Sequence, residues 1–371
     1  MIKYSLLILL FFSSNLLFAQ TGKIELKTLK PVYETNQYPE IFYAANPKIA
    51  EKINTFLQLE DLEHLPNVFQ KHPFEKVCYD EQATRGSISF ESWKQFKTTK
   101  NILSFSVSGD ATGAYSENFE AYHNFDLSTG DPVILKTLFT KTGTAQLEKL
   151  LNKKVEQRIT SYLKANQPPE KTEGTVKQED DDIDEQISMY NDCLNDVKSN
   201  TLEWYKFYFS QDSITFVRGR CSNHALRALD DLDDYFITFS FRELSSYLSL
   251  SGKQLLNDSK NLVPLSSPEG KMFRGKINDK YPVSLIISKI YEDGSLQLKY
   301  WYDKVKTPIE WRGKFENNHF SLVEDDYHSE ELKAWVPRAN IEADWRNGNK
   351  INGTWINYTT KKVLKVELSR Y

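Results

Sequence analysis

Alternation of apolar and polar positions is clearest between Asn101 and Phe139. Leu103, Phe105 and Val107 alternate with Ser104, Ser106 and Ser108, and Phe119, Ala121, His123 and Phe125 alternate with Glu120, Tyr122 and Asn124. A period of two is that of a half-buried strand, so the stretch predicts two antiparallel strands flanking a polar, glycine-containing loop. After Asp126, the run Ser128-Thr129-Gly130-Asp131 supplies turn chemistry and Pro132 cannot donate a ladder bond, which turns the chain before Val133 and Leu135 resume the pattern. Gly130 is expected to hold a positive φ, and Asp126 to cap the turn.

Helical spacing appears on either side of this stretch. Asn46 can cap and Pro47 can start a short amphipathic helix with Ile49, Ile53, Phe56 and Leu57 on one face. Thr142 or Thr144 can cap a second helix in which Leu147, Leu150, Leu151, Val155, Ile159, Tyr162 and Leu163 recur, laid across the sheet. One strand is expected in the lead-in 21–37, another at Ser87–Phe96, a hairpin at 204–217, and a strand at 235–241 followed by a short closing helix at 243–250. Beyond a polar, proline-bearing linker at 251–268, eight short strand-like runs follow one another at 272–277, 281–287, 295–302, 309–315, 320–324, 341–346, 351–358 and 363–368. Turn signals such as Glu292-Asp293-Gly294 and Asn347-Gly348-Asn349 separate them, the pattern of an antiparallel meander closing into a barrel. The predicted fold is therefore an α+β domain over 20–250, with an antiparallel sheet packed by helices, and then an all-β antiparallel meander or small barrel over 269–371.

Composition narrows the compartment. With 371 residues, 40% of them hydrophobic and 13% aromatic, the chain can bury a large core and is not disordered throughout. Residues 1–19 carry Lys3, an apolar run at 6–12, a second apolar patch at 16–18, and Ala19 before Gln20, the layout of a signal peptide. No cysteine follows the apolar run, which argues against a lipid anchor, and no later stretch reaches the roughly 20 apolar residues of a spanning helix. A periodic or polar interruption of a different kind occurs at about 166–187, where Pro168 and Pro169 precede the acidic run Glu179, Asp180, Asp181, Asp182, Asp184 and Glu185, an exposed insertion. The expected location is periplasmic or secreted, an oxidising space in which the three cysteines allow one disulfide. Cys193 and Cys221 bracket a helix-to-strand segment and are the favoured pair over Cys78, although spacing alone leaves all three pairings open. A formal charge of -4 gives no basic footprint for nucleic acid.

Few motifs carry chemistry. There is no Gly-x-Ser-x-Gly elbow, no phosphate-loop lysine beside Gly109 and Gly113, and no zinc-protease spacing among the six histidines. In the acidic run, Glu185 and Asn191 stand where a calcium loop needs glycine and a bidentate glutamate. No catalytic, cofactor-binding or metal-binding residue is nominated, and His123 is expected to pack in the sheet. Paired carboxylates for sugar hydrolysis would show only in space. In the connection 218–234, Arg218, Arg220, Asn223 and His224 precede Asp230, Asp231, Asp233 and Asp234, which suits either surface ion pairing or a polar ligand-contact loop. Five of the seven tryptophans fall in the last hundred or so residues. Trp311 and Trp355 read as barrel core, Trp335 as exposed, and Tyr300-Trp301-Tyr302 must point to both faces of a strand. The ligand-binding candidates are Tyr115, Tyr122, Arg218, Arg220, His224, Trp301 and Trp335.

Over 29–250 the chain resembles the extracellular domain of the lysozyme-sensing anti-sigma factor RsiV, a domain type also found beside the catalytic domain of some peptidoglycan deacetylases. The resemblance rests on Tyr38-Pro39, Asn46-Pro47, Ile53-Asn54, Gly113-Ala114-Tyr115, Asn124-Phe125-Asp126, Thr129-Gly130, Leu135 and Leu138-Phe139, with the closing segment 236–248. It implies an α+β fold, an envelope location, and a non-catalytic module whose ligand is cell-wall glycan or a lysozyme-like protein. No transmembrane helix, sigma-binding segment or deacetylase domain accompanies it, so signalling and deacetylation are not carried over. The last domain resembles barrel-like modules of secreted Bacteroidota-type proteins. The function expected is that of an envelope binding protein, with a hydrolase of envelope polysaccharide and a structural envelope protein as the alternatives.

Overall fold

The computed structural model describes residues 23–30, 36–78, 87–113, 115–166, 178–257, 267–331 and 333–371. The expected leader at 1–19 lies outside them, as do Ala114 of the hairpin loop, Pro168 and Pro169 of the insertion, and the middle of the segment read as a linker. Three small antiparallel sheets with helices are followed by a closed eight-stranded antiparallel barrel, the fold class that the patterning predicts.

Strands β1 (Ile24–Thr28) and β2 (Pro39–Tyr43) form a ribbon. Patterning predicts only one strand here. The second begins on a proline, tolerated as a first strand residue, and is pinned from outside the strand: the Asn54 side chain bonds both the N–H and the C=O of Ile41 at 2.8 Å.

Helix α1 (Pro47–Asp61) starts as expected, with the Asn46 side chain accepting from the Ile49 N–H. A single apolar face does not describe it, because Lys52, Asn54 and Gln58 are buried along with Ile53 and Leu57. The helix lies between two layers. One is the apolar face of β3 (Ser87–Phe96), β4 (Ile102–Thr112) and β5 (Ser116–Asp126), through Leu103, Phe105, Val107 and Phe125. The other is the outer wall of the barrel, through Met272, Ile286 and Trp301. A short β6 (Asp131–Pro132) completes the sheet in the order β3-β4-β5-β6. In the turn before β6, Gly130 has φ +71°, its N–H bonds the Asp126 C=O at 2.7 Å, and the Asp126 side chain accepts from the Ser128 N–H at 2.8 Å.

Helix α2 (Lys141–Ala165) is capped by Thr140, whose hydroxyl accepts from the Gly143 N–H at 2.9 Å, rather than by Thr142 or Thr144. Thr140 has the extended backbone that a cap requires, whereas the other two already lie inside the helix. Leu147, Leu151, Val155 and Ile159 face the core as predicted. With α3 (Gln178–Val197) this helix covers the sheet of β7 (Tyr205–Ser210), β8 (Ser213–Arg218) and β9 (Tyr235–Ser240). The acidic run thus leads into a helix of the core. Asp182, Asp184 and Glu185 are exposed as expected, but they stand in the first turns of α3, where carboxylates complement the helix dipole, and the following turns bury Met189, Tyr190, Cys193 and Val197. Cys193 is disulfide-bonded to Cys221, and burial pushes the thiol of the unpaired Cys78 up to about 11.

The closing helix expected at 243–250 is two helices, α4 (Phe241–Leu244) and α5 (Leu250–Asn257). Between them Leu248 forms a β-bridge with Phe139, which takes the backbone out of the helix. Helix α5 therefore occupies residues 251–257 of the segment read as a linker.

The barrel strands are β10 (Lys271–Ile277), β11 (Tyr281–Ile290), β12 (Leu296–Tyr302), β13 (Ile309–Glu316), β14 (His319–Ser329), β15 (Ala334–Arg346), β16 (Lys350–Asn357) and β17 (Val363–Arg370), closed by pairing of β17 with β10. Each matches one predicted run, with Ser295 and Tyr358 falling just outside β12 and β16. Strands β14 and β15 extend further because they stay paired across irregularities at Glu324, Asp325 and Tyr327, so Trp335 lies within a strand. Trp311 and Trp355 point inward, and together with Tyr300 they donate to one buried oxygen of Glu324, at 3.1, 2.9 and 2.7 Å.

Candidate functional site

Where the barrel meets α1 and β5, the fit leaves a cleft of about 300 Å³. Helix α1 contributes Phe56, Leu57, Glu60 and Asp61, β5 contributes Tyr122 to Phe125, and the barrel contributes Ser288, Lys289 and Gln297. Junctions between packed units are where small-ligand sites form most readily, because neither surface alone encloses a concavity. Alternation along β5 divides its side chains. His123 and Phe125 turn towards α1, while Tyr122 and Asn124 turn towards β7, whose Phe207 lines the far wall.

The polar groups of the cleft are held by specific partners. Asp61 accepts from the Tyr38 hydroxyl at 2.7 Å, and His123 Nε2 lies 3.1 Å from the same oxygen. That Nε2 is buried and not aligned for a hydrogen bond, while the imidazole stacks on Phe105 with ring centres 5.1 Å apart. His123 is thus packed in the sheet, as expected, and also forms part of the cleft wall. Glu60 accepts from the Ser288 hydroxyl at 2.7 Å and the Gln297 amide at 3.4 Å, linking α1 to the barrel. Tyr122 donates to Glu120 at 2.7 Å, and burial first and that carboxylate second push its phenol far above the ordinary tyrosine value. Its ring stacks on Tyr208, which in turn stacks on Phe96 at 4.2 Å.

Three of the seven candidates meet where the start of β5 faces the loop before β9. Tyr115, the most exposed large hydrophobic residue described at 69%, stacks on His224 at 4.7 Å, and Arg220 bonds Glu117 at 2.6 Å. Tyr122 is further along the same strand. The loop is built rather than loose: Asp230 accepts from the Ser222 N–H and the Tyr190 hydroxyl at 2.9 Å each, and Asp234 accepts from the Arg220 N–H at 2.9 Å. Its aspartates serve the backbone and tyrosines, so the pairing of Arg218 and Arg220 with them by side chain does not occur. Arg218 is buried, stacked over Tyr235 and donating to the Gly219 C=O. Trp301 is buried against α1 in the joint between domains, leaving it no face for a ligand. Trp335 is 55% exposed, edge-on to His328, and stands alone on the barrel. Glu60, Asp61, Lys289 and Gln297 were not singled out by the sequence, where nothing but their later proximity marks them.

Beside the cleft, the turn after β5 locks the two domains together. Asp131 is buried and meets Lys52 of α1, Lys271 of β10 at 3.0 Å and Arg370 of β17 at 2.5 Å. Burial alone would raise its carboxyl, but Lys271, Lys52 and Arg370 outweigh it and hold it below the usual carboxylate range. Lys52 also donates to the C=O groups of Thr129 and Tyr371 at 3.2 and 3.0 Å. Among the described residues no group of three or more His, Cys, Asp or Glu is arranged to hold a metal, and no helix is long and apolar enough to cross a membrane.

No family model matches the chain. No curated protein matches it either. Among solved structures it is similar to the crystal structure of a member of the DUF3298 family from Bacteroides fragilis, at 13% identity and a TM-score of 0.38, over 62% of this chain and 95% of that one.

Proposed function

We propose that the chain is a secreted or periplasmic binding protein of the bacterial envelope, which holds cell-wall glycan in the cleft between its domains and does not turn it over. The observation that carries this reading is the cleft itself: aromatic walls from Phe56, Tyr122 and Phe207, with Lys289, Gln297 and Asn124 at its polar margin. Aromatic faces stack on the apolar faces of sugars, and amides and an ammonium group suit their hydroxyls. Both carboxylates of the cleft are engaged, Asp61 by Tyr38 and Glu60 by Ser288, which favours recognition over acid–base work. The resemblance of 29–250 to the RsiV extracellular domain supports the envelope setting and supplies the other ligand, a lysozyme-like protein.

A hydrolase of envelope polysaccharide is the second reading, because Glu60 and Asp61 line one cleft. Calorimetric titration of the chain with muropeptides, longer glycan strands and lysozyme, together with chromatography of the incubated glycan, separates these readings. Saturable glycan binding with the glycan left intact is expected, weakened up to about tenfold by Tyr122→Ala, since an aromatic contact contributes about 0.5–1.5 kcal/mol. Accumulating products would replace the binding protein with the hydrolase. Binding of lysozyme alone would move the ligand to the protein class, and silence towards all three at micromolar concentration would leave a structural envelope protein.

A further inference from the structure

Strand β5 is paired along its full length with β4 on one side, but on the other its backbone pairs, among the described residues, with just the two residues of β6 and the N–H of Val133. The side on which its backbone groups point follows from two contacts. The Asn124 C=O accepts from the Val133 N–H at 2.8 Å, and the Glu120 C=O accepts from Lys206 Nζ at 2.9 Å, so even-numbered residues turn their backbone groups away from β4. The N–H groups of Asn118, Glu120 and Tyr122 therefore line an outer edge that no described strand covers. The opposite edge of the sheet is partly covered. Phe90 C=O accepts from the Gln37 N–H and Val77 C=O from the Ile88 N–H, both at 2.7 Å, and Lys97 C=O accepts from the Gln211 N–H at 2.6 Å. A sheet edge with unpaired N–H and C=O groups is a template for another strand.

We propose that this edge docks an extended, basic segment of a partner polypeptide, which adds a strand to β5 and runs into the cleft beside the barrel. Charge selects the occupant. Glu117 and Glu120 flank the edge and Glu60 and Asp61 stand at its cleft end, against Arg220, Lys206 and Lys289. A second copy paired antiparallel about Glu120 would set that residue opposite its own counterpart, and like charges directly across a ladder are destabilising. The inference goes beyond the glycan reading, which concerns the side chains of the cleft rather than the backbone of β5.

The test uses the whole chain and a capped hexapeptide alternating threonine and lysine, with the threonine–glutamate peptide as control, followed by NMR hydrogen exchange. Peptide binding is expected to protect the amides of Asn118, Glu120 and Tyr122 while leaving those of Phe119 and Ala121, already paired with β4, unchanged. Glu120→Pro removes one outward N–H at a position where an edge proline is tolerated, and it should weaken the basic peptide at least tenfold. Lys206→Ala uncovers the Glu120 C=O and should tighten it, which provides a second readout if the proline variant loses its melting transition. The inference is overturned by binding without the alternating protection, by equal binding of the acidic peptide, by no binding at millimolar concentration, or by concentration-dependent protection of the chain alone, the mark of self-pairing. Glycan binding without peptide binding would refute the docking edge and leave the cleft reading intact, and the reverse result would do the opposite.

Discussion

Gly130 bears on two parts of the structure at once. Its φ of +71° is one that a β-branched residue resists, and an added Cβ would sit 3.3 Å from both the Ile49 C=O and the Lys52 side chain. A side chain there also crowds α1, whose neighbouring atoms would have to give by a few tenths of an ångström. Gly130→Val is expected to lower stability by about 1–3 kcal/mol, read as a shift of the urea midpoint, and an unchanged midpoint would refute the assignment. This residue was legible from sequence because turn chemistry is local: Ser128-Thr129-Gly130-Asp131 announces a turn whatever surrounds it. The partners of Asp131 were not, since Lys52, Lys271 and Arg370 lie on three distant elements and no spacing relates them. Glu324 was invisible for the same reason. Its role inside the barrel depends on Tyr300, Trp311 and Trp355 converging on one oxygen, which alternation places inward but does not bring together.

At the scale of elements, periodicity was a good guide wherever one face met solvent. All eight barrel strands and the β4–β5 hairpin follow from period two, and the stripe of α2 follows from its helical repeat. It failed where packing came from two sides or from outside the segment. Helix α1 buries even its polar positions because it is sandwiched, and β2 exists by virtue of Asn54. Helix α3 was hidden because its acidic first turns look like a solvated charge run, although its second half completes the core. That helix is tied to the loop before β9 by the Cys193–Cys221 disulfide, which spans 28 residues. Replacing both cysteines by serine is expected to cost about 3–4 kcal/mol from the released loop entropy of the unfolded chain. Denaturant unfolding checks the cost, and the amides of His224 and Arg220 should exchange faster in the variant. A loss below about 1 kcal/mol would mean that Asp230 and Tyr190 hold the loop without help.

For the whole molecule, the joint between domains is the organising fact. It combines an apolar contact, Met272, Ile286 and Trp301 on α1, with the buried Asp131 and its three cations. Breaking a buried ion pair by removing one partner costs about 3–5 kcal/mol, so Asp131→Asn should destabilise the chain by that order. The pH dependence has a definite sign. Because the folded carboxyl is held below its ordinary value of about 3.9, its contribution is fully present above that pH and is lost as pH falls through the lower folded value. The stability gap between the native chain and Asp131→Asn, measured by urea unfolding, should therefore be constant from pH 7 to about 5 and narrow below about 4. A gap independent of pH would show that the folded carboxyl is not held below its unfolded value.

The closure of the barrel by its first and last strands also has a kinetic meaning. Strand β17 pairs with β10, and its Arg370 reaches Asp131 across 239 residues of sequence. Contacts of such separation form late, because the loop they close must be ordered before they return any energy. Barrel closure and one of the three ion pairs on Asp131 thus depend on the same strand. A nascent or clipped chain lacking β17 would be an open sheet with two unpaired edges and an Asp131 short of one cation, the species most exposed to proteases and aggregation.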